Sequence, residues 1–208
     1  MQRRRRVGPR AVYRSGARER ARSQTPFPRA EGFIPGARKD GQTVRPDWVP
    51  VRRTIDGVQV SEVRHVPKGR GRLTEVFRAD WKLDDGVVEQ VFQVLLGPGE
   101  VSAWHTHQYT RDRLFVSMGT VRIVLYDARA ASPTRGQVDE FRFGEHRPAL
   151  LVVPPGIWHG VENLGSGPSI VLNVVDRAYS YTDPDHWRLP SDSPRIPFSF
   201  GPPSRSGG

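Results

Sequence analysis

Four side chains that can bind a metal ion or transfer a proton lie in two short segments of the sequence. His105 and His107 are separated by one residue, Asp112 lies five positions after His107, and His159 comes after a Pro-Pro-Gly turn. Because successive side chains on a strand alternate between its faces, the first two histidines should point to the same side. We therefore predict that all four residues form one polar site, in which His105, Asp112 and His159 are catalytic. Such nitrogen and oxygen donors would also suit a divalent metal such as Fe, Mn, Ni or Zn.

The segments around these residues have the composition and spacing of short β-strands. One run alternates with a period of two, since Val121, Ile123 and Leu125 would share one face of a strand and Arg122 the other. Gly, Pro and Asp turns separate the runs, and no stretch has a helical period, so the sequence predicts an all-β sandwich or barrel. The predicted strands are Val58–Val63, Leu73–Phe77, Val87–Leu96, Leu114–Met118, Val121–Tyr126, Val138–Phe143, Ala149–Val153 and Ile170–Val175.

Composition limits the chemistry and the organisation of the chain. The 208 residues suit one well-packed domain, and the absence of cysteine excludes disulfides and thiolate chemistry. Residues 1–50 hold 13 Lys and Arg against 4 Asp and Glu, so most of the net charge of +10 lies there. This Arg-, Pro- and Gly-rich stretch is predicted to be a disordered extension, residues 51–198 the barrel, and residues 199–208 a disordered tail. A nucleic-acid-binding arm is the less favoured interpretation, because its aromatic residues are isolated.

The spacing of the site residues resembles the two motifs of the cupin superfamily. The segment from Gly99 to Gly119 is similar to Gly-x5-His-x-His-x4-acid-x6-Gly, with Asp112 where cupins usually have Glu. The segment from Pro154 to Asn163 is similar to the core of the second motif, although its opening glycine has no counterpart. The resemblance implies a double-stranded β-helix, or jelly-roll barrel.

A second pattern resembles a narrower family within the cupins. The segment from Tyr126 to Gly136 contains Asp-Ala-Arg-Ala-Ala-Ser-Pro-Thr-Arg-Gly, which is similar to the Asp-x-Arg-x2-Ser-Pro-Thr-x-Gly signature of the dTDP-4-dehydrorhamnose 3,5-epimerase family. The stretch from Val153 to Gly160 resembles that family's Ile-Pro-x-Gly-x-x-His-Gly segment. This resemblance implies removal of a proton next to the C4 ketone of a nucleotide-linked 4-keto-6-deoxyhexose and its return from the other face. By position, His105 matches the family's catalytic histidine and His159 the histidine of the His-Gly pair.

Other functional positions of that family are replaced in this chain. The Arg-Gly pair before the catalytic histidine is missing, the lysine near the developing oxyanion falls at Asp112, and the tyrosine acid falls near Asn173. Tyr179 and Tyr181 follow closely and are candidates to restore the acid. A bare carboxylate beside an enolate is repulsive at low dielectric, so Asp112 favours a cation at this point. The hybrid interpretation is an epimerase-like scaffold whose chemistry is assisted by a divalent metal.

The remaining candidates are substrate-binding residues and neighbours of the histidines. The predicted substrate-binding set is Arg113, Tyr126, Arg129 and Asn173. Arg113 and Arg111 could instead supply positive charge without a metal, although strand alternation should turn Arg113 away from the site. Trp104 and Trp158 are expected to pack against an outer layer. His65, His146 and His186 lie in polar surroundings and are interpreted as surface residues.

Three functions remain open at this point. The first is a sugar-nucleotide epimerase or isomerase that acts next to a carbonyl. The second is a metal-dependent cupin of another reaction class, such as a dioxygenase or a non-sugar isomerase, and the third is a non-catalytic cupin that binds a small molecule. The family resemblance implies a homodimer. We also expect a cytoplasmic protein, which the absence of cysteine fits, and no membrane span, since no long apolar run is present.

Overall fold

Twelve strands and one short 3-10 helix make up the described part of the fold. In this computed structural model, residue 32, residues 34–47, residue 51 and residues 54–201 are described. The strands are β1 (Gln59–Glu62), β2 (His65–Lys68), β3 (Gly71–Thr74), β4 (Gln90–Leu96), β5 (Val101–Thr106), β6 (Asp112–Met118), β7 (Thr120–Asp127), β8 (Val138–Gly144), β9 (Ala149–Val153), β10 (Ile157–Asn163), β11 (Ser169–Val175) and β12 (Trp187–Arg188), and the helix is Ala79–Trp81. Within the described part of the chain, no helix is long and apolar enough to cross a bilayer.

The strands form two facing five-stranded sheets, in which every pair is antiparallel. The first sheet has the order β1-β9-β6-β11-β4, and the second has the order β12-β5-β10-β7-β8. Strands β2 and β3 form a separate hairpin. The order of both sheets requires crossovers between them, as in a jelly roll. The structure therefore confirms the predicted all-β jelly-roll barrel.

Alternating apolar side chains fill the space between the sheets. On β7, Val121, Ile123 and Leu125 are fully buried in the main core cluster. Leu114 and Val116 of β6 meet them from the opposite sheet. This alternation is the one that the sequence predicted, and it places the even-numbered residues of β7 on the outside of the barrel.

The turn between β6 and β7 depends on a glycine. Gly119 has a φ of +79°, which favours glycine, and a Cβ atom at this position would lie 2.2 Å from Oγ of Ser169. The composition of Ser117–Thr120 is typical of a hairpin turn, but β6 and β7 lie in different sheets, so the turn is a sharp corner between the sheets and not a hairpin. Asp84–Gly86, which has a similar composition, lies in the long connection between β3 and β4.

A second apolar cluster covers the outer face of the second sheet. Trp104, Val124 and Ile196 are buried there, and Trp158 and Phe200 pack against them. The chain after β12 therefore folds back over the sheet. The predicted disorder of residues 1–50 and 199–208 falls largely outside the described residues and stays a prediction; residues 34–47 are exposed throughout.

Candidate active site

A cavity of about 410 Å³ lies between the sheets, with polar groups and apolar strand side chains in its wall. His105, His107, Asp112, His159 and Asn173 all line it. Four of these were predicted to share one site, and the fifth was predicted to bind substrate. The volume lies within the range of small-molecule sites, roughly 300–1,000 Å³.

Strand pairing brings the histidines together. His105 lies directly opposite His159 in the register of β5 and β10, and the centroids of their rings are 4.0 Å apart. His107 follows the end of β5, and its ring is 5.9 Å from that of His105. One nitrogen atom from each of the three rings lies within 4.8 Å of the others. Alternation along β5 and pairing across to β10 therefore produce the cluster.

Close packing on the other side of β10 explains the glycine after His159. A Cβ atom at Gly160 would lie 2.4 Å from Cβ of Ala103 and 2.7 Å from Cζ of Phe200. Any larger residue would push β10 away from β5 and from the outer cluster. Gly160 thus helps to keep His159 in register with His105.

Asp112 is the buried anion of the cavity. Its Oδ1 atom accepts a hydrogen bond of 2.7 Å from Nδ2 of Asn173. Its Oδ2 atom lies 3.2 Å from Nε2 of His159 and 3.3 Å from Nε2 of His107. Burial alone would raise the pKa of Asp112, but His159, His107 and Asn173 outweigh burial and lower it. The carboxylate is therefore held ionised beside two imidazoles.

Backbone carbonyls fix the tautomers of two rings. Nδ1 of His107 faces the carbonyl oxygen of Asp185, and Nδ1 of His159 lies 3.1 Å from that of Ile157. A carbonyl can only accept, so each Nδ1 must carry a proton. Nε2 of both rings then faces Oδ2 of Asp112, and the contact is attractive when a proton or a cation lies between nitrogen and carboxylate. Nε2 of His159 is buried and makes no aligned hydrogen bond in the described structure, despite its proximity to Asp112.

His105 differs from these two histidines because its Nδ1 is buried without a hydrogen-bond partner among the described residues. Burial lowers its pKa well below the ordinary value, and the neighbouring His159 and His107 add to the effect. The ring is consequently neutral near pH 7. A neutral, poorly solvated imidazole can accept a proton from a substrate.

One further histidine in the cavity was missed by the sequence analysis. His186 was predicted to lie on the surface, but it lines the cavity, and its ring is 5.2 Å from His105 and 5.1 Å from His107. Its Nε2 is buried with no hydrogen-bond partner in the described structure. Burial and the charge of Arg188 lower its pKa to about 4. No sequence spacing signals this residue, because tertiary contacts bring its segment to the cavity.

Asp185 holds that segment in place. Its carboxylate accepts hydrogen bonds from the backbone N–H groups of Gln108, Tyr109 and Thr110, at 2.7 to 2.9 Å. β12 then pairs with β5, which places Arg188 opposite His105. The segment is therefore fixed both to the loop after His107 and to the strand that carries His105.

Arg113, predicted to bind substrate, lies outside the cavity. Its guanidinium is fully buried and donates from Nε to Oδ2 of Asp84 at 2.7 Å, with its carbon 5.1 Å from the Phe77 ring centroid. Strand alternation turns it away from Asp112, so this prediction is corrected. Arg111, the weaker alternative, pairs with Asp85 and Asp176 instead.

Tyr126 and Arg129 are also not among the cavity residues. Tyr126 packs against the outer cluster, because the even-numbered positions of β7 face away from the core. Arg129 donates to Asp127 from Nε at 2.9 Å and to the carbonyl oxygen of Asp56 at 2.7 Å. It therefore braces the turn of the Ser-Pro-Thr segment. Both predictions of substrate contact in this cavity are corrected, whereas Trp104 and Trp158 pack on the outer layer as expected.

The mouth of the cavity combines aromatic rings and positive charge. Tyr109, Arg177, Tyr179 and Arg188 line it, and the guanidinium carbon of Arg177 lies 5.8 Å from the Tyr109 ring centroid. Tyr179 is 49% exposed. Tyr181, the other candidate acid, is 90% exposed and is not a lining residue.

Comparison with known proteins identifies the family. A sequence model described as dTDP-4-dehydrorhamnose 3,5-epimerase matches residues 52–200. The chain belongs to this family. The match covers the whole barrel and every candidate site residue, and it confirms the resemblance drawn from the Ser-Pro-Thr and His-Gly segments.

Individual relatives agree with that assignment. The chain is 36% identical to the probable low-salt glycan biosynthesis epimerase Agl13 of Haloferax volcanii, over 66% of this chain and 89% of the relative. It is 33% identical to the spore coat polysaccharide biosynthesis protein SpsL of Bacillus subtilis, over 70% and 96%. A crystal structure of a dTDP sugar isomerase from Desulfovibrio desulfuricans matches with a TM-score of 0.67 and 31% identity, over 70% of this chain and 92% of that one. The chain is thus an enzyme of the isomerase class, as the first of the three functional interpretations predicted.

Proposed function

We propose that this epimerase acts on a dTDP-linked 4-keto-deoxyhexose or a closely related nucleotide sugar. The single observation that carries the proposal is the half-buried His105 directly opposite the buried His159 in the cavity of a chain that belongs to this family. The relatives' names support a carbohydrate substrate, and the cavity has room for a small molecule.

The reaction requires one proton to leave the carbon next to the ketone and one to return. His105 takes the proton, the electrons of the broken C–H bond move into the carbonyl, and an enolate forms. Asp112 does not reach that carbon in this scheme; it acts as a positioning residue that orients His107 and His159. The proton must then return from the other face for the stereocentre to invert.

Tyr179 is the proposed donor of the returning proton. Asn173, where the family's tyrosine falls, cannot serve because its amide is engaged with Asp112 and with the backbone N–H of Arg113. Tyr179 lines the cavity, and its hydroxyl is the kind of group that the reaction needs. Replacing Tyr179 by Phe should stop inversion but leave proton exchange at the same carbon.

The three clustered imidazoles fit a divalent metal, as an alternative to the scheme in which His105 is the base. If the lone pair of His105 is bound to an ion, it cannot also take the proton. His105, His107 and His159 would hold it, since one nitrogen from each lies within 4.8 Å of the others and Nδ1 of two rings is bonded to backbone carbonyls. Such an ion, Fe, Mn, Ni or Zn, would polarise the substrate carbonyl as a Lewis acid. Mass spectrometry of protein purified without chelators should find metal, and a His159→Ala variant should lose it.

We also propose that the protein forms a homodimer. Exposed apolar side chains on edge strand β4 support this, since Val91 is 58% and Leu95 61% exposed. Sedimentation at several concentrations tests it. The cytoplasmic location stays a prediction.

Proton exchange tests the proposed reaction. The chain should be incubated in D₂O with dTDP-4-keto-6-deoxyglucose, and deuterium located by NMR. Incorporation at C3, at C5 or at both is expected, because enolisation exchanges the proton even without net turnover. A substrate that stays unlabelled with the folded enzyme would refute the proposal.

A further inference from the structure

The cavity has a carboxylate where an enolate needs positive charge. The position of the family's lysine is occupied by Asp112, and the Arg-Gly pair is replaced by Ala103 and Trp104. Trp104 points into the outer cluster, so it cannot contact a substrate in the cavity. When no metal ion is bound, donors for the developing oxyanion must therefore come from another part of the chain.

The segment from Asp185 to Arg188 brings two such donors to the cavity. The Asp185 carboxylate binds three successive backbone N–H groups, and Arg188 pairs in register with His105. The segment is thereby fixed before substrate arrives. Preorganised donors of this kind stabilise a developing charge without reorganisation during the reaction.

His186 offers an unused polar atom. Its ring contacts the rings of His105 and His107, and its buried Nε2 has no hydrogen-bond partner among the described residues. A buried polar atom without a partner costs free energy unless something binds it. In the tautomer with the proton on Nε2, this atom would donate a hydrogen bond to a substrate oxygen next to the carbon that His105 deprotonates.

Arg188 offers an unpaired positive charge. It lines the same cavity, and within the described part of the chain it forms no ion pair, whereas Arg111, Arg113, Arg122 and Arg129 all pair with carboxylates. Three of the four carboxylates that line the cavity accept hydrogen bonds from other groups, and the fourth, Asp183, forms no ion pair with Arg188 in the described structure. Asp185 binds the loop after His107, and Glu89 accepts a hydrogen bond from the backbone N–H of Ala178.

We propose that His186 and Arg188 are catalytic residues that bind the developing enolate oxygen, in place of the lysine that this chain lacks. The inference rests on the proposed function, since it assigns the oxyanion contact of that reaction. It names two residues of the carboxyl-terminal segment that the sequence predictions did not place in the site. It also explains why Asp185 ties this segment to the loop that follows His107.

Deuterium exchange into the nucleotide sugar tests the assignment. Arg188→Gln and His186→Phe should each lower kcat for exchange by roughly 10²-fold, the usual effect of losing one oxyanion donor, and change KM by less than about threefold. His186→Gln keeps an N–H donor and should recover most of the rate. Arg195→Gln is the matched control, because Arg195 is an exposed arginine in the chain after β12 and does not line the cavity.

The outcomes separate this inference from the reaction itself. Melting temperatures of all four variants show that each is folded. If the parent exchanges and both His186→Phe and Arg188→Gln exchange at its rate, the assignment is overturned and the proposed function stands. If the folded parent shows no exchange at all, the proposed function fails, and the assignment fails with it.

Discussion

The two faces of the second sheet have different roles, although residues that are adjacent in sequence supply both. On β5, Trp104 points outward and is fully buried in an aromatic cluster with Phe198 and Phe200, whereas His105 points inward to the cavity. On β10, Trp158 and His159 divide in the same way. The outer face therefore contributes packing and the inner face contributes the candidate catalytic groups. On each strand, adjacent residues supply the two.

The chain after β12 covers the outer face, so that the large apolar side chains there are shielded from water. Ile196, Phe198 and Phe200 pack over the outer side of the sheet. The same stretch of chain begins at the cavity, where Asp185 and His186 lie. One segment therefore contributes first to the site and then to stability.

The largest predicted change in stability follows from opening the outer cluster. Replacing Trp104 by Ala should lower the free energy of unfolding by about 3–5 kcal/mol, because a fully buried ring is lost and the gap is only partly refilled. Urea denaturation measures the change. A loss below about 1 kcal/mol would show that the outer face contributes little to packing.

A smaller effect is expected at the turn that follows β7. Burial alone would raise the pKa of Asp127, but hydrogen bonds from Arg129, Ser132 and Thr134 lower it well below the ordinary value. Asp127→Asn should cost about 2 kcal/mol at pH 7, since it weakens charged hydrogen bonds. Because the folded pKa is depressed, this contribution is present above pH 3.8 and is lost as the pH falls below it.

Urea denaturation of parent and Asp127→Asn at pH 7, 5 and 3.5 measures that difference. The difference in the free energy of unfolding should be the same at pH 7 and pH 5 and smaller at pH 3.5. A difference that is unchanged at pH 3.5 would mean that the charge of Asp127 is not what stabilises the turn.

The smallest effect is expected at Tyr126. Its side chain belongs to the outer cluster, so Tyr126→Phe should leave KM for the nucleotide sugar within about twofold and change the free energy of unfolding by less than about 1 kcal/mol. Steady-state kinetics check the first value. A tenfold rise in KM would place Tyr126 in contact with substrate and weaken the distinction between the two faces.

Local spacing predicted the parts of the structure that depend on local geometry. Alternation in β7 identified the buried set Val121, Ile123 and Leu125, and the spacing of His105 and His107 placed them on one face. The Ser-Pro-Thr and His-Gly segments identified the family. These features follow from the period of a strand and from fixed motifs, and a single sequence contains both.

Long-range contacts account for what the sequence did not reveal. Periodicity separates the two faces of β7, but it does not say that the face with Tyr126 would be covered by the distant Phe198. His186 lies in a segment without strand periodicity, and it reaches the cavity through Asp185 and a two-residue strand pair with β5. The binding partner of Arg113, Asp84, likewise comes from a distant connection.

The most direct test of the central claim compares the two neighbours on β5 in the deuterium-exchange assay. His105→Gln and Trp104→Phe should be measured with rates corrected for the folded fraction. The account predicts that His105→Gln slows exchange by roughly 10²–10⁴-fold while the protein stays folded, and that Trp104→Phe retains the parental rate within a few fold. Exchange by His105→Gln at the parental rate would contradict the assignment of chemistry to the inner face.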